Sequence, residues 1–150
     1  MPGKLIEDLK YQQAYKSVTI TSTETKYNGA AANATGAYID TIGYSELNVV
    51  INAGNFAGDG TLDVTVVNYD TDASGSATLI TGCTFTQITS GNDNAIHIAS
   101  VTLDRSKRYV WVKSVKGGTG QCEYGILAVL GKGITHPESN SPVFDVDANS

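Results

Sequence analysis

Apolar and polar residues alternate with a period of two along most of the chain, the spacing of strands with one buried face. Ser17-Val18-Thr19-Ile20-Thr21 opens the pattern, and Leu47, Val49 and Ile51 repeat it against Asn48 and Asn52. Leu62, Val64 and Val66 do the same against Asp63 and Thr65. Between these two runs lies Ala53 to Gly60, ending in Asp59-Gly60, residues that tolerate positive φ, so the pair reads as a hairpin. Upstream, Asn28 to Gly36 is rich in Gly, Ala and Asn and reads as a loop before a short strand, Ala37 to Asp40, and a turn at Gly43. Asp70 to Ser76 is a polar connection.

Three segments depart from simple alternation. Ala77 to Ile88 is long for one strand and carries Gly82 in its middle, which predicts a bulge or bend. From Ile96 to Leu103 the apolar phase slips, from Ile96 and Ile98 to Val101 and Leu103, and a second bulge or break is expected. Arg108 to Val115 and Cys122 to Leu130 are apolar on both faces. Gly117-Gly118-Thr119-Gly120 joins them, predicting a hairpin that is central in the domain or packed against a partner.

The two ends differ from the middle. Leu5, Ile6, Leu9 and Tyr15 can share one face of a short helix, so residues 1–16 read as a helical turn or an arm that needs something to pack on. Residues 134–150 are polar, hold Pro137 and Pro142, and read as an extended tail with a small apolar patch at Val143, Phe144 and Val146. The division is an arm at 1–16, a β domain at 17–133 and a tail at 134–150. About eight strands with regular turn signals predict an all-β antiparallel sandwich or jelly roll.

At 150 residues the chain fits one domain. Its 41% hydrophobic content suffices for a core, and its low charge excludes disorder and coiled coil. The net charge of −5 argues against a nucleic-acid partner, and the basic knot at Arg105, Lys107 and Arg108 reads as a solvated loop entering a strand. No apolar run approaches the ~20 residues of a membrane span, and the first thirty residues show no signal-peptide core. The protein is expected to be made and kept in the cytosol of the cell that makes it, unless it leaves inside a larger object, and no membrane association is expected.

Catalytic chemistry is thinly represented. Of two histidines, His97 sits in a strand and His136 in the tail, and Gly43-Tyr44-Ser45-Glu46-Leu47 lacks the second Gly of a nucleophile elbow. Gly117 to Gly120 is flanked by strands and not by the helix a phosphate loop needs. Asn68, Asp70, Asp72 and Ser74 offer alternate oxygens, but without the Gly and closing Glu of a calcium loop. Cys83 and Cys122 show no metal spacing; they read as buried thiols, while a disulfide between them would stabilise by about 4 kcal/mol. No enzyme activity, cofactor or metal is expected. Eight Tyr and one Trp leave room for a carbohydrate-binding face.

Three motifs in order carry a resemblance. Ile39-Asp40-Thr41-Ile42-Gly43-Tyr44-Ser45 matches an "I-D-T-x-G-Y" strand entry, Lys107 to Val112 matches "K-R-Y-V-x-V", and Ala128 to Gly131 matches "A-V-L-G" with a Pro soon after. With the Leu-rich opening at Leu5 to Leu9, the set resembles the capsid decoration, or cement, proteins of tailed bacteriophages over about residues 5–137. The turn at Asp70 to Gly75 is looser than the acidic turn usual in that family. The resemblance implies a β-sandwich on the exterior of an expanded phage head that bridges neighbouring capsomers. Its partners would be the major capsid protein and further copies of itself, as a dimer or trimer. The expected contact residues are Leu5, Ile6, Leu9, Tyr11 and Tyr15 of the arm. The alternative is a virion-surface or tail-associated adhesin for host carbohydrate.

Overall fold

The computed structural model describes residues 9–131. Nine strands run in chain order: β1 Lys10–Ile20, β2 Glu24–Tyr27, β3 Ile39–Asp40, β4 Glu46–Phe56, β5 Thr61–Tyr69, β6 Thr78–Thr84, β7 Ala95–Thr102, β8 Tyr109–Gly117 and β9 Cys122–Gly131. One turn of 3-10 helix, Ser74–Ser76, is the helical element among the described residues. The strands form two antiparallel sheets, β1-β9-β4-β7 (sheet I) and β2-β8-β5-β6 (sheet II), with β3 also paired to β8. The fold is the all-β sandwich that the alternation predicts.

The period-two pattern places the core correctly. Leu47, Val49 and Ile51 of β4, Ala128 and Leu130 of β9, Leu62 and Val66 of β5, and Val110 of β8 are fully buried between the sheets. Fully burying side chains of this size stabilises by about 1.5–3 kcal/mol each. The strands β4, β8, β9 and β5 are internal to their sheets, as their largely apolar character requires.

Both expected hairpins are absent. β4 belongs to sheet I and β5 to sheet II, and β8 and β9 are likewise split. Each pair is joined by an arch that crosses the sandwich, so the apolar faces meet across the core instead of lying side by side. The two arches lock together. Asp59 in the first accepts hydrogen bonds from the Thr119 and Gly120 amides and from the Thr119 hydroxyl in the second, at 2.7–2.9 Å. These donors hold the Asp59 carboxyl below its usual range, the Thr119 hydroxyl contributing most. A Cβ on Gly120 would lie 1.8 Å from the Ala57 carbonyl oxygen, so this contact requires glycine. Beneath it Lys116 is 1% exposed and donates to the Thr21 and Gly118 carbonyls.

The N-terminal reading also changes. Residues 10–16 are not a helical turn or a free arm but the first part of β1, paired to β9 from Lys10↔Leu130 onward. The strand runs continuously through the expected boundary at 16/17. Register shifts between Gln13 and Tyr15, and again before Val18, turn both Ala14 and Tyr15 inward. Those bulges break the period of two within β1; Leu5 and Ile6, which carried the helix-like spacing, lie outside the described residues.

In β6 the expected bulge is present: Leu79 pairs with Val67 and Thr84 with Thr65, so six residues face three. In β7 it is not. All eight residues pair one-to-one with β4, and burial alternates without a break. The phase slip in the sequence arises because Ile96 and Ile98 face solvent while Ala99 and Val101 face the core.

Candidate binding face

The two outer faces of the sandwich are finished differently. On sheet II, residues 28–38 leave β2 and return as β3 on the same edge of β8. Asn28 replaces the missing strand, its amide donating to Val112 O, its side-chain oxygen accepting from Val112 N and its side-chain nitrogen donating to Val110 O. The loop then reaches the far side of β5, where the Asn33 amide donates to Ser74 Oγ at 2.6 Å and Gly36 N to Asp72. This strap accounts for Trp111 being only 1% exposed although it points away from the core. Asp72 and Ser74, two of the candidate calcium donors, serve as acceptors for the strap. Among the described residues no cluster of His, Cys, Asp and Glu assembles for a metal.

Sheet I has no such cover among the described residues. Two rows cross its four strands, and a third crosses β9, β4 and β7. Tyr11, Val129, Asn48 and Ser100 stand opposite one another in the first, and Gln13, Leu127, Val50 and Ile98 in the second. Gly125, Asn52 and Ile96 align in the third. Ile96 is 65% exposed, Ile98 63% and Leu127 38%, with half-buried Val50 between them. The three rows contain no Lys or Arg. Contiguous exposed aliphatic side chains on a regular sheet are the unusual observation, since scattered ones are normal. A depression of about 210 Å³ lies beside them, lined by Gln13, Tyr15, Ser17, Val50, Asn52, Gly125, Ile126 and Leu127. It continues toward a second of about 330 Å³ bounded by Thr19, Gly54 and Glu123.

The expected contact set is only partly on this face. Tyr11 is half-buried in the first row. Leu9 lies beside Gly131, and Leu5 and Ile6 fall outside the described residues. Tyr15 is a correction: it is 8% exposed, packs on Tyr124 at 4.9 Å and donates to Glu24 across the open edge between the sheets. Burial, then the bond to Glu24, pushes its phenol well above the usual range. It is a core residue that closes the sandwich and reaches the face only at the floor of the depression. Ile96 and Ile98, exposed on this face, were not among the expected contact residues, although the phase slip marked them.

The motifs behind the resemblance converge on one end of the sandwich. Asp40 accepts from Arg108 Nε at 2.7 Å and Nη2 at 2.5 Å, and β3 pairs with β8 through Ile39↔Val110. Thr41 donates twice to the Arg108 carbonyl, and Ser45 N donates to Gly131 O. The Arg108 guanidinium holds the Asp40 carboxyl below its usual range. These motifs therefore brace the fold.

Other candidates have structural partners. His97 Nε2 lies 3.0 Å from Asn92 O, a contact that makes it the donor. Cys83 and Cys122 are buried free thiols, both pushed up by burial. Tyr15, Tyr44 and Tyr124 are buried with Trp111, and Tyr38 and Tyr109 meet edge to face at 88°.

The sandwich is similar to that of viral capsid chains. VP2 of infectious bursal disease virus, in a subviral particle, superposes with a TM-score of 0.58 at 12% identity, over 86% of this chain and 33% of VP2. The T13 particle of the same virus gives 0.53 at 14% identity, over 86% and 32%. XepA, the exported protein of PBSX, gives 0.58 at 17% identity, over 99% of this chain and 47% of XepA. The chain thus spans a third to about half of these proteins, and at such identities the likeness is one of fold. No protein-family model and no curated protein matches the sequence.

Proposed function

We propose that this protein is a non-enzymatic structural component of a tailed-phage virion, bound to the exterior of the expanded capsid and bridging neighbouring capsomers. The observation that carries the reading is the uncovered aliphatic row Leu127, Val50 and Ile98, with Ile96 beside it, on a sandwich whose other face is strapped over. Burying that row against the major capsid protein would use the hydrophobic effect where a soluble monomer would otherwise leave it wet. Repetition over a closed lattice turns modest single-site affinity into stable attachment. The ordered motifs and the likeness to capsid and phage-exported chains support the same reading.

Self-association, as a dimer or trimer, is part of the proposal. β7 ends sheet I and carries no charged residue, proline or bulge, the devices that ordinarily guard an edge. Nucleic acid and membrane are not proposed as partners, and synthesis in the host cytoplasm precedes attachment. The glycan-binding alternative is not favoured, because Tyr15, Tyr44, Tyr124 and Trp111 are buried and Tyr38 and Tyr109 meet edge to face. Co-sedimentation with expanded, undecorated heads, using unexpanded procapsids as control, tests the proposal. Saturable binding to expanded heads alone is expected; binding to neither overturns it.

A further inference from the structure

The four sheet edges are not finished alike. β1 carries Lys10 and Lys16 and two register shifts. β2 is four residues long, holds Glu24 and Lys26, and gives way along β8 to the loop that returns as β3. β6 is bulged against β5. Charges, short length and bulges keep a sheet edge from pairing with another chain. β7 has none of them: its eight residues pair one-to-one with β4 and include no Lys, Arg, Asp, Glu or Pro. No second strand pairs with its free side among the described residues. The core is also less covered here. Ala99 and Val101 face inward yet are only half-buried, whereas Val49 and Leu47, opposite them on β4, are fully buried.

A second copy of the chain supplies what this edge lacks. Antiparallel pairing of β7 with itself is closed by a two-fold axis, so each contact is made twice and the edge is used up. Residues opposite each other in such a pair lie on the same face, so the axis must pass through a residue and not between two. An axis through Ile98 keeps seven of the eight residues paired, with Ile98 opposite Ile98 of the second copy and Ile96 opposite Ser100. It also joins like rows: Gln13, Leu127, Val50 and Ile98 of one copy run on into Ile98, Val50, Leu127 and Gln13 of the other. We propose that two copies pair through β7 about this axis, forming one eight-stranded sheet with a single continuous aliphatic face. The pairing rests on the self-association within the proposed function and selects a dimer over a trimer.

Sedimentation velocity and hydrogen exchange on the full-length chain test this. The native chain should sediment as a dimer, and residues 95–102 should exchange more slowly as its concentration rises, with β1 unchanged. Ile98→Lys sets like charges opposite each other and should lose the dimer. Leu127→Lys lies on the same face, two strands in from the edge, and should keep it. The two side chains are 63% and 38% exposed, so both variants should fold. A native monomer or trimer overturns the proposal, and so does a dimer that survives Ile98→Lys or is lost in Leu127→Lys. Co-sedimentation with heads separates the two readings. A dimer that binds no heads overturns the proposed function alone, and a monomer that binds them overturns the pairing alone.

Discussion

Replacing Ile96 and Ile98 together with Ser separates binding from folding. The two side chains are 65% and 63% exposed, so the folded monomer buries only about a third of each. Full burial of Ile is worth about 1.5–3 kcal/mol, which leaves about 1–2 kcal/mol per side chain to be gained on docking. Removing both weakens each attachment by about 2–4 kcal/mol, or roughly 30-fold to 1,000-fold in Kd. The fold loses about 1–2 kcal/mol, tolerable for a domain with a typical stability of about 5–15 kcal/mol. The assay pairs urea unfolding with co-sedimentation on expanded heads over a concentration series. The double variant should unfold in one cooperative transition at a slightly lower midpoint, and its head-binding curve should shift by at least an order of magnitude. A folded variant with an unshifted curve would refute the assignment of the face.

Three further outcomes follow from the packing. Trp111→Ala, beneath the 28–38 strap, should cost about 3–5 kcal/mol in urea unfolding, since a large buried side chain is removed. Deleting residues 1–16 removes Ala14 and Tyr15 from the core and should lower stability by about 3 kcal/mol or more; equal midpoints would contradict the pairing of β1 with β9. Asp40→Asn should flatten the acid limb of the stability profile. Arg108 depresses the folded carboxyl below its unfolded value of about 3.9, so the stabilisation is complete above that pH and is lost as pH falls through the folded value. Urea midpoints with the same acid slope in native and variant protein would reject that linkage.

What the sequence determined by itself was the inward set of residues and the fold class. Alternation in 47–51 and 62–66 identified the buried face of β4 and β5, because a strand cannot turn one residue without turning its neighbours the other way. It also located the 28–36 loop, the bulge near Gly82, and the internal character of β8 and β9. Sheet membership was not legible. The turns at 57–60 and 118–121 have glycine-rich chemistry that serves a hairpin or an arch equally, and an apolar face looks the same whether its partner lies beside it or across the core. Only the long-range pairing of β4 with β9 and of β5 with β8 distinguishes them. The N-terminal segment was misread for a related reason: β1 is held by the edge of β9, and bulges that fit it to that edge disguise its period. The candidate face was half visible. Ile96 and Ile98 signalled themselves as residues out of phase, but phase alone cannot separate a bulge that turns them inward from a regular strand that leaves them in solvent. That choice was made by the residue-for-residue pairing of β7 with β4, a contact between segments some fifty residues apart.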